Sequence, residues 1–273
     1  RAAGADMKVE LLARGFWTAG HALVSDGFQK GRVFIGGDAA HLFTPAGGLG
    51  YNTAIEDAVN LAWKLACVLK GRGGAKLLET YSQERQPLAR RNTAYAKSFA
   101  DSLGLISAPP ELETASDAGA QARSEAGEYF NAHVRREFNI PGVTFGGRYD
   151  GSPIIVRDGT APPPDKANEY VPSACPGGRP PHLWIDEQTS LYDLFGFEWT
   201  LLVTQGAPDV APFEAAATAL GLDLKIVRPS HPALFELYEA PLALIRPDQI
   251  VAWRGQDAKN AISVLRQANG FLD

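Results

Sequence analysis

Apolar and polar positions along the chain fall into two regimes. Helical spacing dominates up to about residue 140, and short apolar runs cut by turn residues dominate after about residue 183. In the first regime, Arg32–Ile35 is a short run with β-branched and aromatic residues and predicts a buried strand, which Gly36 and Gly37 end. Ile55, Ala58, Val59, Ala62, Leu65, Ala66 and Leu69 recur at helical spacing and predict a core-facing helix. Thr53-Ala54-Ile55-Glu56 fits a capping box that opens this helix, and Gly71 suits its closing position. A second helix runs from Leu77 through Tyr81 and Arg85 to Pro87, which should kink or divide it, and on through Tyr95 and Phe99 to about Gly104. Residues 107–125 read as a loop followed by a helix, and Glu125–Phe138 has helical character. Residues 7–13 suit strand or helix equally.

From Pro141 to Pro181 glycine, proline and polar residues predict an irregular connection, with Arg148-Tyr149 and Ile154–Val156 as a possible strand pair. Beyond it the runs alternate. Leu191–Phe195 reads as a short helix, Trp199–Val203 as a strand, Val210–Leu220 as a helix and Leu224–Val227 as a strand. Pro232–Tyr238 then predicts a short helix, Leu242–Ile245 and Ile250–Arg254 two strands, and Ala258–Ala268 a closing helix. The fold class is therefore α/β.

Composition narrows the function classes. The chain has 273 residues, 45% of them hydrophobic and 21% charged, which suits a globular protein of one or two domains. A formal charge of −5 with no basic cluster argues against nucleic acid or an anionic membrane as partner. No apolar run reaches the length of a membrane span. Two distant cysteines, Cys67 and Cys175, suit a reducing cytoplasm, although a single disulfide is also compatible with the sequence.

The chemistry concentrates in Gly31–Leu69. Asp38 stands after the predicted strand, where ligands sit in open α/β sheets. The following loop carries Pro45, Gly47, Gly48 and Gly50, and glycines let another molecule approach the backbone closely. Free N–H groups at the helix start attract an anion or polarised carbonyl, and a carboxylate accepts from polyol hydroxyls. Each feature alone also has a plain structural reading, as a turn cap or a tight connection. Together they suit a large, partly anionic cofactor. Arg85, Arg90 and Arg91 read either as an anion site or, preferably, as a solvated face paired with Glu79 and Glu84. Phe16, Trp17 and His21 suit a ring pocket or, preferably, core packing.

The run Gly37-Asp38-Ala39-Ala40-His41, then Pro45, Gly47, Gly50, Asn52, Asp57 and Asn60-Leu61-Ala62-Trp63-Lys64-Leu65, resembles the second flavin motif of the single-component FAD-dependent aromatic hydroxylases, the p-hydroxybenzoate hydroxylase superfamily. The resemblance implies that Asp38 binds the ribityl chain of FAD and that Pro45 lies beside the reactive edge of the flavin. It implies that Gly47, Gly48, Leu49, Gly50, Tyr51 and Asn52 meet its pyrimidine end. His41 belongs to the motif as a structural residue. Residues 183–273 resemble a thioredoxin-like domain, with Pro241 where that fold carries a cis-proline and with no Cys-x-x-Cys, so thiol exchange is excluded. Such a domain points to the phenol hydroxylase and polyketide hydroxylase branch.

The resemblance therefore implies the C-terminal part of a Rossmann-like FAD-binding domain followed by a thioredoxin-like α/β domain. The expected divisions are residues 1–30 as the end of a substrate domain, 31–140 as FAD domain, 141–182 as connection and 183–273 as the last domain. No G-x-G-x-x-G follows an early strand, so the chain reads as a C-terminal fragment whose ADP site lies in a missing N-terminal half. The implied activity uses FAD, NAD(P)H and O2 to hydroxylate an aromatic substrate through a flavin C4a-hydroperoxide, in a homodimer, with the fragment alone inactive. The catalytic residues fall outside this chain, and no metal is expected. Alternatives are a non-catalytic fragment acting with a partner chain, or a Baeyer–Villiger monooxygenase on the same fold.

Overall fold

The computed structural model describes residues 8, 10–16, 21–103, 105, 107–206 and 208–272. Residues 8 and 10–16 carry no regular secondary structure, and Phe16 is 92% exposed, so the core position expected for it is not adopted. His21 is exposed, and Trp17 lies outside the described residues.

The first half holds two small antiparallel pairs and three long helices. Strand β1 (Leu23–Val24) pairs with β4 (His41–Leu42), and β2 (Gln29–Lys30) pairs with β3 (Val33–Phe34). The buried strand expected over Arg32–Ile35 is thus a two-residue hairpin strand with Val33 exposed. Gly31, at φ 60°, makes its tight turn.

Helix α1 (Leu49–Leu69) starts one turn earlier than the predicted capping box. Gly48, at φ 63° and ψ 22°, turns the chain into it with no side-chain cap. Its amphipathicity is inverted. The buried residues are Thr53, Asp57, Asn60, Trp63, Lys64 and Cys67 behind Leu49, while Ile55, Ala58, Val59, Ala62, Ala66 and Leu69 are exposed. The predicted core face is therefore a bare apolar stripe along a helix about 30 Å long. The polar side is buried because partners from α2 and the C-terminal unit satisfy it.

Helix α2 (Glu79–Leu103) passes through Pro87 unbroken. Pro87 removes one backbone bond, but Glu84 and Arg85 anchor the turn before it by side-chain bonds to α1. Helix α3 (Asp117–Phe138) is capped by the Ser116 hydroxyl. Helix α4 (Pro141–Phe145) opens the irregular connection. There Tyr149 N–H donates to Gly177 and Val156 N–H to Ala252, so the expected pairing of these two segments gives way to contacts around the C-terminal sheet.

That sheet contains β5 (Trp199–Val203), β6 (Leu224–Val227), β7 (Leu242–Ile245) and β8 (Val251–Gly255), in the order β6-β5-β7-β8. β5 and β6 are parallel, and β7 runs antiparallel to both β5 and β8, as a thioredoxin-like domain requires. Helices α5 (Ala211–Ala219), α6 (Leu234–Tyr238) and α7 (Ala261–Ala268) complete it. Alternate residues feed two cores, with Leu201, Leu242 and Leu244 on one face and Leu202, Ala243 and Ile245 on the other. The first core also takes in Trp63, Cys67 and Leu77, so α1 packs directly on this unit. No peptide bond among the described residues is cis, so the cis-proline expected at Pro241 is not formed. Cys67 and Cys175 are both free and buried.

Candidate functional site

The glycine-rich loop and the start of α1 enclose a cleft of about 520 Å3. Asp38, Pro45, Gly47, Gly48, Leu49, Gly50 and Tyr51 line it, with Phe43 and Glu137. Seven of the eight residues singled out from sequence thus meet in one place. The eighth, Asn52, turns back instead and donates from Nδ2 to the Gly48 carbonyl at 2.7 Å, bracing the loop. Gly47 and Gly48 sit at φ 68° and 63°, which only glycine adopts without strain. These two left-handed residues turn the chain into the start of α1, which lines the cleft and where a helix leaves its N–H groups without intrahelical partners.

Asp38 sits in a 3-10 turn (Gly37–Ala39), exposed on the cleft wall and free of any ion pair among the described residues. Its position is set from behind by Asp57 of α1. The Asp57 carboxylate accepts the Gly37 N–H at 3.1 Å, His41 Nε2 at 2.6 Å and Arg85 Nε at 2.8 Å. Burial alone would raise the Asp57 pKa, but the His41 bond and the Arg85 charge outweigh it and hold the group below the usual carboxylate range. Arg85 also reaches Glu56 at 2.8 Å and the Tyr149 hydroxyl at 3.2 Å. Tyr81 adds a bond from its hydroxyl to the Ile35 carbonyl at 2.8 Å. His41 is buried against Asp57, the structural place expected of a lone histidine in a tight turn. The arginines are paired, but not with Glu79 or Glu84: Arg85 is buried against Asp57, Arg90 lies near Asp26 and Arg91 meets Asp165.

A second buried network ties α1 to the C-terminal unit. Glu84 accepts from Lys64 Nζ at 2.7 Å, Asn60 Nδ2 at 2.7 Å, Ser152 Oγ at 2.6 Å, and Arg246 Nη1 and Nη2 at 2.8 and 2.9 Å. Asp248 takes the other side of Arg246 at 2.7 Å. Burial would raise the Glu84 pKa, but the Arg246 and Lys64 charges overcome it and drive the carboxyl well below its usual range. Lys64 is pulled down to about 8, first by burial.

One residue of the cleft, Glu137, escaped the sequence reading. Asp57 was visible as a motif residue, and its stripe Thr53, Asp57, Asn60, Lys64 is a polar helical face that burial explains. Glu137 gave no signal. It comes from the last turn of α3, and its Oε1 accepts the Gly47 N–H at 2.9 Å.

The cleft fits a flavin. A Cβ built on Gly48 meets nothing within 4 Å, so the loop backbone is open to close approach. The donor set suits the group: a free carboxylate for hydroxyls, and helix-start amides without intrahelical partners for carbonyls or a developing anion.

Comparison with known proteins gives the family likeness. A family model for an FAD binding domain matches residues 3–96, and one for the aromatic-ring hydroxylase C-terminal region matches residues 173–270. The chain thus carries an FAD-binding region and an aromatic-ring hydroxylase C-terminal region, and its relatives are phenol and polyketide FAD-dependent monooxygenases. It is 36% identical to the phenol 2-monooxygenase of a Pseudomonas species over 92% of this chain and 47% of that protein. Aklavinone 12-hydroxylase RdmE of Streptomyces purpurascens is 34% identical, over 93% and 45%. The rebeccamycin biosynthetic enzyme RebC, solved with reduced flavin, superposes at a TM-score of 0.83 with 35% identity, over 91% of this chain and 47% of that one. An aklavinone-11 hydroxylase bound to FAD and aklavinone superposes at 0.68 with 33% identity, over 90% and 45%. The chain spans about half the length of the curated relatives it matches.

Proposed function

We propose that this chain supplies the flavin-ring side of an FAD-dependent aromatic hydroxylase. The observation that carries the reading is the single cleft lined by Asp38, Pro45 and Gly47–Tyr51 at the start of α1. Asp38 accepts ribityl hydroxyls, Pro45 borders the reactive edge, and the loop amides of Gly47–Tyr51 meet the pyrimidine carbonyls. Asn52 braces that loop from behind. Bound FAD supplies the oxygen-activating chemistry, fed by NAD(P)H and O2.

The chain's own residues position and charge the site. Asp57 holds the Gly37 amide and so fixes the Asp38 turn. The helix start stabilises negative charge that develops on the ring.

The bare stripe Ile55, Ala58, Val59, Ala62, Ala66 and Leu69 suits a covering FAD domain from an N-terminal half, which also carries the ADP site and the groups that act on the aromatic substrate. A homodimer assembled through the thioredoxin-like unit completes the reading, with residues 31–140 and 183–273 as its two functional parts. Two free cysteines suit the cytoplasm; no described helix is long and apolar enough to cross a membrane.

The test is Asp38→Ala in the full-length protein, read by flavin fluorescence. The reading expects FAD affinity to fall at least tenfold. Unchanged affinity would refute the assignment of the cleft.

A further inference from the structure

Glu137 stands apart from the rest of the cleft because it puts a negative charge on the loop that the flavin reading gives to an electron-rich ring. Its carboxylate is half-buried, accepts the Gly47 N–H at 2.9 Å and forms no ion pair among the described residues. It is not carried on a loose tail. The Tyr95 hydroxyl donates to the Arg136 carbonyl at 2.6 Å, and Asn168 Nδ2 donates to the Asn139 carbonyl at 2.6 Å, pinning the end of α3 on both sides of it.

Resting on the flavin reading of the cleft, we infer that Glu137 is a positioning residue that sets the redox balance of the bound flavin. The Gly47 amide belongs to the loop that the flavin reading sets at the pyrimidine edge, and it already donates to Glu137. A carboxylate on that amide competes with a ring carbonyl for the donor. It also adds a like charge where the reduced, anionic ring carries its own. Oxidised FAD has no such charge, so Glu137 penalises the reduced form selectively and lowers the flavin potential. The device opposes the helix start, which favours the reduced anion.

The experiment measures the midpoint potential of the FAD-loaded full-length protein as wild type, Glu137→Gln and Glu137→Lys. Gln keeps an acceptor for the Gly47 N–H and removes the charge, so a packing role alone would leave the potential unmoved. Like charges near a wet surface interact strongly enough to predict about a fivefold gain in preference for reduced over oxidised FAD. For a two-electron couple that is about 20 mV upward in Glu137→Gln, with a further rise in Glu137→Lys. A potential unchanged or lowered in both variants overturns the inference. Asp38→Ala, measured alongside, separates the two claims. If it weakens FAD binding while Glu137→Gln leaves the potential in place, only the role of Glu137 falls. If Asp38→Ala leaves FAD affinity untouched, the reading of the cleft falls and this inference with it.

Discussion

Glu84→Gln probes the buried network that joins α1 and α2 to the C-terminal unit. Glu84 is fully buried and faces two buried cations, Lys64 and Arg246. Gln keeps the shape but removes the charge and offers one acceptor oxygen where two serve five bonds in the native chain. Asp248 then remains, among the described residues, as the anion paired with Arg246 and the nearby negative charge for Lys64. Breaking a buried ion pair by removing one partner costs about 3–5 kcal/mol, since the other charge stays uncompensated. At roughly 2–4 °C per kcal/mol for chains of this size, the midpoint of thermal unfolding should fall by about 10 °C. The assay is urea unfolding with a parallel thermal scan. The pH dependence gives an independent check. Glu84 titrates below its unfolded value of 4.5 in the folded chain, so its contribution is complete above that pH and is lost as pH falls. The gap between wild type and Glu84→Gln should therefore begin to narrow below about pH 4.5 and keep narrowing as the pH falls towards the depressed folded-state value. A loss under about 1 kcal/mol at neutral pH would refute the reasoning, because exposed pairs give that much.

Two other outcomes follow. Asp57→Asn removes the charge that holds Gly37, His41 and Arg85 together; it breaks the buried pair with Arg85, so stability should fall by about 3–5 kcal/mol and FAD binding should weaken with it, seen by unfolding and flavin titration of one sample set. Burial, with help from the Glu198 charge, pushes the Cys67 thiol up to about 11, so a thiol reagent at neutral pH should label it only as fast as the chain unfolds, and rapid labelling of folded protein would contradict its burial.

The C-terminal sheet was legible because its strands are short, mostly apolar runs bounded by turn residues, with β5 and β7 buried on both faces. Trp199–Val203, Leu224–Val227 and Leu242–Ile245 form at their predicted positions. The glycine-rich loop was legible as a special backbone segment too, since Gly47 and Gly48 take positive φ and its residues line one cleft. Helix α1 shows the limit of periodicity. The period of its apolar stripe was plain in the sequence, but which stripe faces inward depended on Glu84, Arg85 and Arg246, up to 162 residues from their network partners. The hairpin over Arg32–Ile35 was misread because two residues of ladder leave no periodicity to detect. Glu137 was invisible for the same reason that it matters. It lies 90 residues from Gly47 and, in sequence, matches any solvated helix glutamate.

The central claim is that this chain holds one side of a flavin site that an N-terminal half completes. The direct measurement is an FAD titration of the 273-residue chain, alone and with that half present, followed by flavin fluorescence and the visible spectrum. The account predicts tight binding only when both are present. Tight binding by this chain alone, or no binding in either mixture, would contradict it.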